Sequence, residues 1–211
     1  MKIISHRGFW TEANEKNSEV AFKRSFKNGF GLETDIRDYK GELVISHDIP
    51  EVGCLTFQRL LEIHHDLDST LPLALNIKSD GLQLAIRELL KKYSVTNYFV
   101  FDMSVPDMLG YLKSNLTVFS RHSEYENKPV FYEQANGIWI DAFENEWWGE
   151  ETLKFHLEAQ KSVCIVSPEL HRRNFQLTWN KLSSMSIIDD QNLMLCTDYP
   201  EHARKFFYEK N

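Results

Sequence analysis

The 211-residue chain holds 42% apolar and 26% charged residues, ordinary globular proportions, with material for one large domain or two small ones. Its net charge of −7 excludes sequence-independent nucleic-acid binding, which depends on clustered Lys and Arg, and no apolar run approaches the roughly 18 residues of a membrane span. The opening MKIISHRGFW turns polar after two isoleucines, unlike a signal-peptide core, and Cys54, Cys164 and Cys196 are too few and too scattered for a disulfide framework. These features predict a soluble, cytoplasmic protein with buried thiols at Cys164 and Cys196, and with neither stable membrane insertion nor an obligate protein partner.

Short apolar runs alternate with amphipathic segments from end to end. Strands are expected over 2–5, 31–37, 71–77, 97–102, 116–120, 137–141, 162–167 and 192–197. Helices are expected between them, for example over 17–27, 56–64, 82–93, 152–160 and 200–208, with Ser18, Thr56 and Asp80 as start signals. The strands are apolar on both sides, as buried parallel strands are. The pattern predicts an α/β fold, a single compact (β/α)8 TIM-type barrel over residues 1–211, with a doubly wound open sheet as the alternative.

Nearly every expected strand finishes in a polar or ionisable group: His6 and Arg7, Glu33 and Asp35, Asn76 and Lys78, Asp102, Arg121, Asp141, Glu169 and His171, and Asp198. In a barrel these C-terminal ends gather on one rim, where active sites of that architecture lie. An acid at a strand end is also a common turn or cap residue, which is the simpler reading of Asp198.

The stretch GLETDIRDYKGELVISHD (residues 31–48) is the densest in chemistry. Residues two apart in a strand point the same way, so Glu33 and Asp35 share a face. Residues 39–42 read as a turn, and 43–46 as a second short strand that delivers His47 at its end. Two same-face carboxylates and a nearby imidazole suit metal-assisted hydrolysis; a solvated strand edge is the other reading.

With these residues in view the chain resembles the glycerophosphodiester phosphodiesterase family, within the phospholipase C-like barrels. The resemblance rests on HRG at 6–8, NSEVAF at 17–22, ETD at 33–35, GELVISHD at 41–48, NIK at 76–78 and TDYP at 197–200. It is specific over the first 48 residues and is one of strand rhythm through the middle of the chain. It implies His6 and His47 as the catalytic acid and base, and a divalent cation, Mg²⁺ or Ca²⁺, held by Glu33 and Asp35. It also implies Arg7 and Lys78 as groups binding the phosphate oxygens of a small phosphodiester substrate. Glu169, in the cluster SPELHRRN, is expected to face the pocket on the substrate side, or else to complete the metal site; a solvated loop is the alternative there.

Three positions depart from the family pattern. Lys16 replaces a Glu, Asn76 replaces the third metal-binding Glu as a neutral ligand, and the loop after the His-Asp motif is short. The expected activity is hydrolysis of a glycerophosphodiester-like compound to a phosphomonoester and an alcohol. The rival readings are a non-catalytic relative that binds a phosphorylated sugar or lipid headgroup, and a cyclising phospholipase, for which Trp147 and Trp148 would form an apolar lip; a sugar-stacking or packing feature is the other reading of that pair.

Overall fold

The structure, a computed structural model, describes residues 1–209. Nine strands and seven α-helices follow one another along it, alternating except where β2 leads directly to β3 and β6 to β7. The strands are β1 (Lys2–His6), β2 (Gly31–Tyr39), β3 (Glu42–Ile45), β4 (Leu73–Ile77), β5 (Tyr98–Phe101), β6 (Phe119–His122), β7 (Gly137–Ile140), β8 (Ser162–Val166) and β9 (Leu193–Thr197). The helices are α1 (Glu19–Lys27), α2 (Phe57–Leu67), α3 (Gln83–Lys92), α4 (Val105–Lys113), α5 (Glu150–Glu158), α6 (Gln176–Ser183) and α7 (Pro200–Tyr208).

The strand order is β5-β4-β2-β1-β9-β8-β7-β6, with β3 added to β2. A parallel bridge between Val100 and Val118 joins β5 to the residue just before β6. The fold is a (β/α)8 TIM-type barrel whose one antiparallel addition is β3.

Contacts divide the chain into two compact units, Ser5–Val118 and Met1–Ile4 with the chain from Phe119 onward. In the first, Phe22 and Phe26 of α1, Leu32 and Ile36 of β2, and Phe57, Leu60 and Leu61 of α2 form a buried core. Full burial of each such side chain is worth about 1.5–3 kcal/mol. In the second, Ile138 and Ile140 of β7, Leu153 of α5, Trp179 of α6 and Leu195 of β9 do the same.

Helix starts follow local chemistry. Ser18 accepts from the Ala21 N–H at 3.4 Å and Thr56 from the Arg59 N–H at 3.1 Å, as N-caps do. Asp80 is not a cap: α3 begins after Leu82 without a side-chain cap, and Asp80 instead accepts from the Ser104 hydroxyl at 3.0 Å. The sixth strand also ends later than its apolar run, because Arg121 and His122 pair with Trp139 and Ile140 of β7. The expected turn at 39–42 is a two-residue hairpin. Lys40 and Gly41 both have positive φ (51° and 85°), which matches the twist of the flanking strands.

Candidate functional site

Within the unit Ser5–Val118, the ends of β1 and β4 and the first half of β2 bring six of the expected residues, His6, Arg7, Glu33, Asp35, Asn76 and Lys78, into one acid-centred cluster. Glu33 and Asp35 are 2% and 1% exposed. The parallel register of β2 with β4 sets Asp35 opposite Asn76, so the amide and both acids share one face. His6 Nε2 lies 3.8 Å from Glu33 Oε2. Arg7 Nε is 3.2 Å from Asp35 Oδ2, and Lys78 Nζ is 3.4 Å from Asp35 Oδ1.

The backbone at this site is held in unusual conformations. Arg7 and Asn17 are both left-handed, at φ 55° and 58°, and the Asn17 N–H donates to the Arg7 carbonyl at 2.9 Å. That turn aims the Arg7 N–H at Glu33, where it meets the carbonyl at 2.9 Å and carboxylate Oε2 at 3.1 Å. Gly8 follows at φ 91°; a Cβ there would meet the Ala21 Cβ at 2.7 Å, so only glycine lets α1 approach so closely.

Asn17 itself was not singled out for a role by sequence reasoning, although it opens the NSEVAF motif. Its Oδ1 accepts from the buried Thr34 hydroxyl at 2.8 Å, and its Nδ2 donates to Asp35 Oδ2 at 2.9 Å. One side chain thereby pins Asp35 Oδ2, while Oδ1 faces the Lys78 ammonium at 3.4 Å.

Asn76 Oδ1 is buried without a hydrogen-bond partner, and Asp35 Oδ1, also buried, meets the Lys78 ammonium at 3.4 Å. Burying an acceptor unpaired costs about 1–3 kcal/mol, more when it is charged, and a bound cation is one explanation for tolerating it. Glu33 adds to the demand for positive charge. Its pKa is pushed up to about 8 by burial and by the neighbouring Asp35, against the pull of Arg7 and Lys78. Two acids and an amide oxygen are hard donors suited to Mg²⁺ or Ca²⁺. Among the described residues, no group of three or more His, Cys, Asp or Glu is arranged for a metal.

His47 follows β3, whose end is tied down by the Ser46 N–H donating to the Asp35 carbonyl at 3.1 Å. His47 lines an open depression with Arg7, Asn17, Ser46 and Cys54. Its Nδ1 is 2.9 Å from Asp48 Oδ1, and its carbonyl accepts from Arg37 Nε at 3.3 Å.

Glu169 lies in the other unit, and its carboxylate is already engaged. Oε2 accepts from the Ser167 hydroxyl, while Oε1 accepts from the Thr197 hydroxyl and, at 3.1 Å, from the Asp198 N–H. These donors, all from its own unit, fix the orientation of the carboxylate. Burial raises its pKa against those hydrogen bonds. In the same unit Trp148 is buried, and Trp147 donates to the Asp141 carbonyl at 2.7 Å and packs on His122 at 4.4 Å. Trp148 is thus a packing group, while Trp147 is half-buried.

No family model and no curated protein matches the sequence. Solved structures do. The chain is similar to a glycerophosphodiester phosphodiesterase from Agrobacterium tumefaciens, with 14% identity and a TM-score of 0.69 over 100% of each chain. It is similar to a phosphodiesterase from Oleispira antarctica, solved with its product sn-glycerol-3-phosphate, with 14% identity and a TM-score of 0.68 over 98% of this chain and 96% of that one. A more distant likeness is to a Ca²⁺-dependent phosphatidylinositol-specific phospholipase C from Streptomyces antibioticus, with 9% identity and a TM-score of 0.55 over 98% and 95% of the two chains. At such identities the likeness establishes the (β/α)8 barrel. The chemistry has to be argued from this chain's own residues.

Proposed function

We propose that this protein is a metal-dependent phosphodiesterase that hydrolyses a glycerophosphodiester-like substrate to a phosphomonoester and an alcohol. The observation that carries the reading is the buried Asn76 Oδ1, without a hydrogen-bond partner, opposite the buried Asp35 in the strand register and on the same face as a buried Glu33. Glu33, Asp35 and Asn76 would hold Mg²⁺ or Ca²⁺, which when bound supplies neutralisation of charge on the phosphate.

The chain's own cations act on the same group. Arg7 offers a planar fork and Lys78 a compact point charge to the non-bridging oxygens, the two modes in which these side chains bind phosphate. Both now lean on Asp35, which keeps them in place before a substrate arrives. His6 and His47 divide the proton transfers. One takes the proton of the attacking hydroxyl or water, and the other protonates the leaving alkoxide, each role worth about 10²–10⁴ in rate. The acceptor-only carboxylate of Asp48 selects the Nδ1–H tautomer of His47 and leaves Nε2 as its basic nitrogen.

The reading is tested by assaying phosphomonoester release from a panel of glycerophosphodiesters in Mg²⁺ or Ca²⁺. Glu33→Ala is expected to abolish turnover; wild-type turnover in that variant contradicts the metal site.

A further inference from the structure

We infer that Asp102 is a positioning residue for the cation site: its carboxylate orients the Asn76 amide so that Oδ1, and not Nδ2, is presented as a ligand. The inference deepens the functional reading above and rests on it.

An asparagine side chain has two ends of nearly identical shape and opposite hydrogen-bonding character. Only the oxygen can ligate a cation, so a site that uses Asn in place of an acid must also fix which end points inward. Asn76 is buried on β4, opposite Asp35 in the strand register. Its Nδ2 donates to Asp102 Oδ2 at 3.1 Å, and its Oδ1 is buried with no hydrogen-bond partner. A carboxylate is acceptor-only. Reversing the amide would set Oδ1 against Asp102 and turn an NH₂ group toward the space a cation needs, so the two orientations are not interchangeable.

The backbone is bent to make this contact. Asp102 follows Phe101, the residue of β5 that pairs with Asn76, and it adopts the left-handed conformation at φ 65°. Asp tolerates that region better than most residues. The chain thus replaces a third ligating carboxylate with a neutral ligand and a carboxylate behind it, which contributes negative charge from one layer further out.

Calorimetric titration of the substrate-free protein with Mg²⁺ alone and with Ca²⁺ alone tests this. Asp102→Asn is isosteric and removes the preference for one amide end, so affinity should fall by about tenfold or more, as for other supporting groups of metal ligands. The exchange Asn76→Asp/Asp102→Asn restores an amide donating to a carboxylate, and its affinity should exceed that given by the sum of the free-energy effects of Asp102→Asn and of Asn76→Asp measured alone, a coupling that independent sites would lack. Circular dichroism of each variant checks that the fold is kept. Wild-type affinity in Asp102→Asn, with binding lost in Glu33→Ala, overturns this inference and leaves the functional reading intact. An exchange variant no better than that sum also overturns it. Absence of binding to the wild-type protein overturns both.

Discussion

Replacing Asn17 with alanine should damage the protein through three separate losses. Asp35 Oδ2 loses a charge-assisted hydrogen bond of 2.9 Å, an interaction worth about 1.5–3 kcal/mol. The Thr34 hydroxyl, on a residue with no exposure, loses its acceptor, which costs about 1–3 kcal/mol for an unpaired buried group. Alanine must also take φ 58°, at about 1 kcal/mol. Asn17 is only half-buried, so water can replace part of what is lost, and a net destabilisation of about 2–4 kcal/mol is expected. For a chain of this size that lowers Tm by about 5–15 °C. Urea denaturation followed by circular dichroism measures it, and Asn17→Gly isolates the conformational part because glycine adopts positive φ freely. Thr34→Val in the Asn17→Ala background should recover some stability by removing the orphaned hydroxyl. A loss below about 0.5 kcal/mol in Asn17→Ala, within the range of an ordinary surface change, would refute the claim that this side chain pins Asp35.

Other outcomes follow from the same geometry. His6→Ala and His47→Ala should each lower phosphodiester turnover by about 10²–10⁴ with the fold intact, and wild-type kcat in either removes that histidine from the proton transfers. Gly8→Ala should destabilise by about 2–4 kcal/mol, since its Cβ meets Ala21 at 2.7 Å in a left-handed backbone, and an unchanged Tm contradicts this. The network of Tyr132, His156 and His122, joined by two 3.0 Å hydrogen bonds, should make the protein acid-sensitive. Burial and His122 lower the His156 pKa to about 4, so the unfolded state binds the extra proton between about pH 6.5 and 4, and stability present above that window is lost as pH falls through it. The loss is about 2–3 kcal/mol, and it should shrink in His156→Gln. Glu33, whose raised pKa works in the opposite direction, is common to both proteins and cancels in the comparison. An identical pH slope in the two proteins contradicts the assignment.

Much of this molecule was legible before its structure, for physical reasons. Buried parallel strands must be apolar on both faces, and β4 and β9 are buried throughout, which is why their sequences stood out as short apolar runs. The period of two placed Glu33 and Asp35 on one face without further information. Contacts across sequence left no comparable trace. The amide of Asn76 and the carboxylate of Asp102 meet from neighbouring strands, and the imidazoles of His122 and His156 from a strand and a helix. Nothing in local spacing joins such pairs. Asp80 failed as a helix start because a side chain from α4's cap, Ser104, supplies its hydrogen bond. The contacts of Glu169 with Ser167, Thr197 and Asp198 were equally hidden, since two of the three come from the end of the unit's last strand. Asn17 was the one missed residue with a usable signal, its place at the head of a motif, and only its left-handed backbone and its hydrogen bonds to Thr34 and Asp35 explain why an asparagine stands there.

The central claim is that a cation held by Glu33, Asp35 and Asn76 makes this barrel a phosphodiesterase. The direct measurement is phosphomonoester release from glycerophosphodiesters by the metal-stripped protein, before and after addition of Mg²⁺ or Ca²⁺. The account predicts no turnover in excess chelator, recovery on adding either ion to saturation, and no recovery in Glu33→Ala. Full turnover in chelator, or none with any divalent cation across the panel, contradicts it.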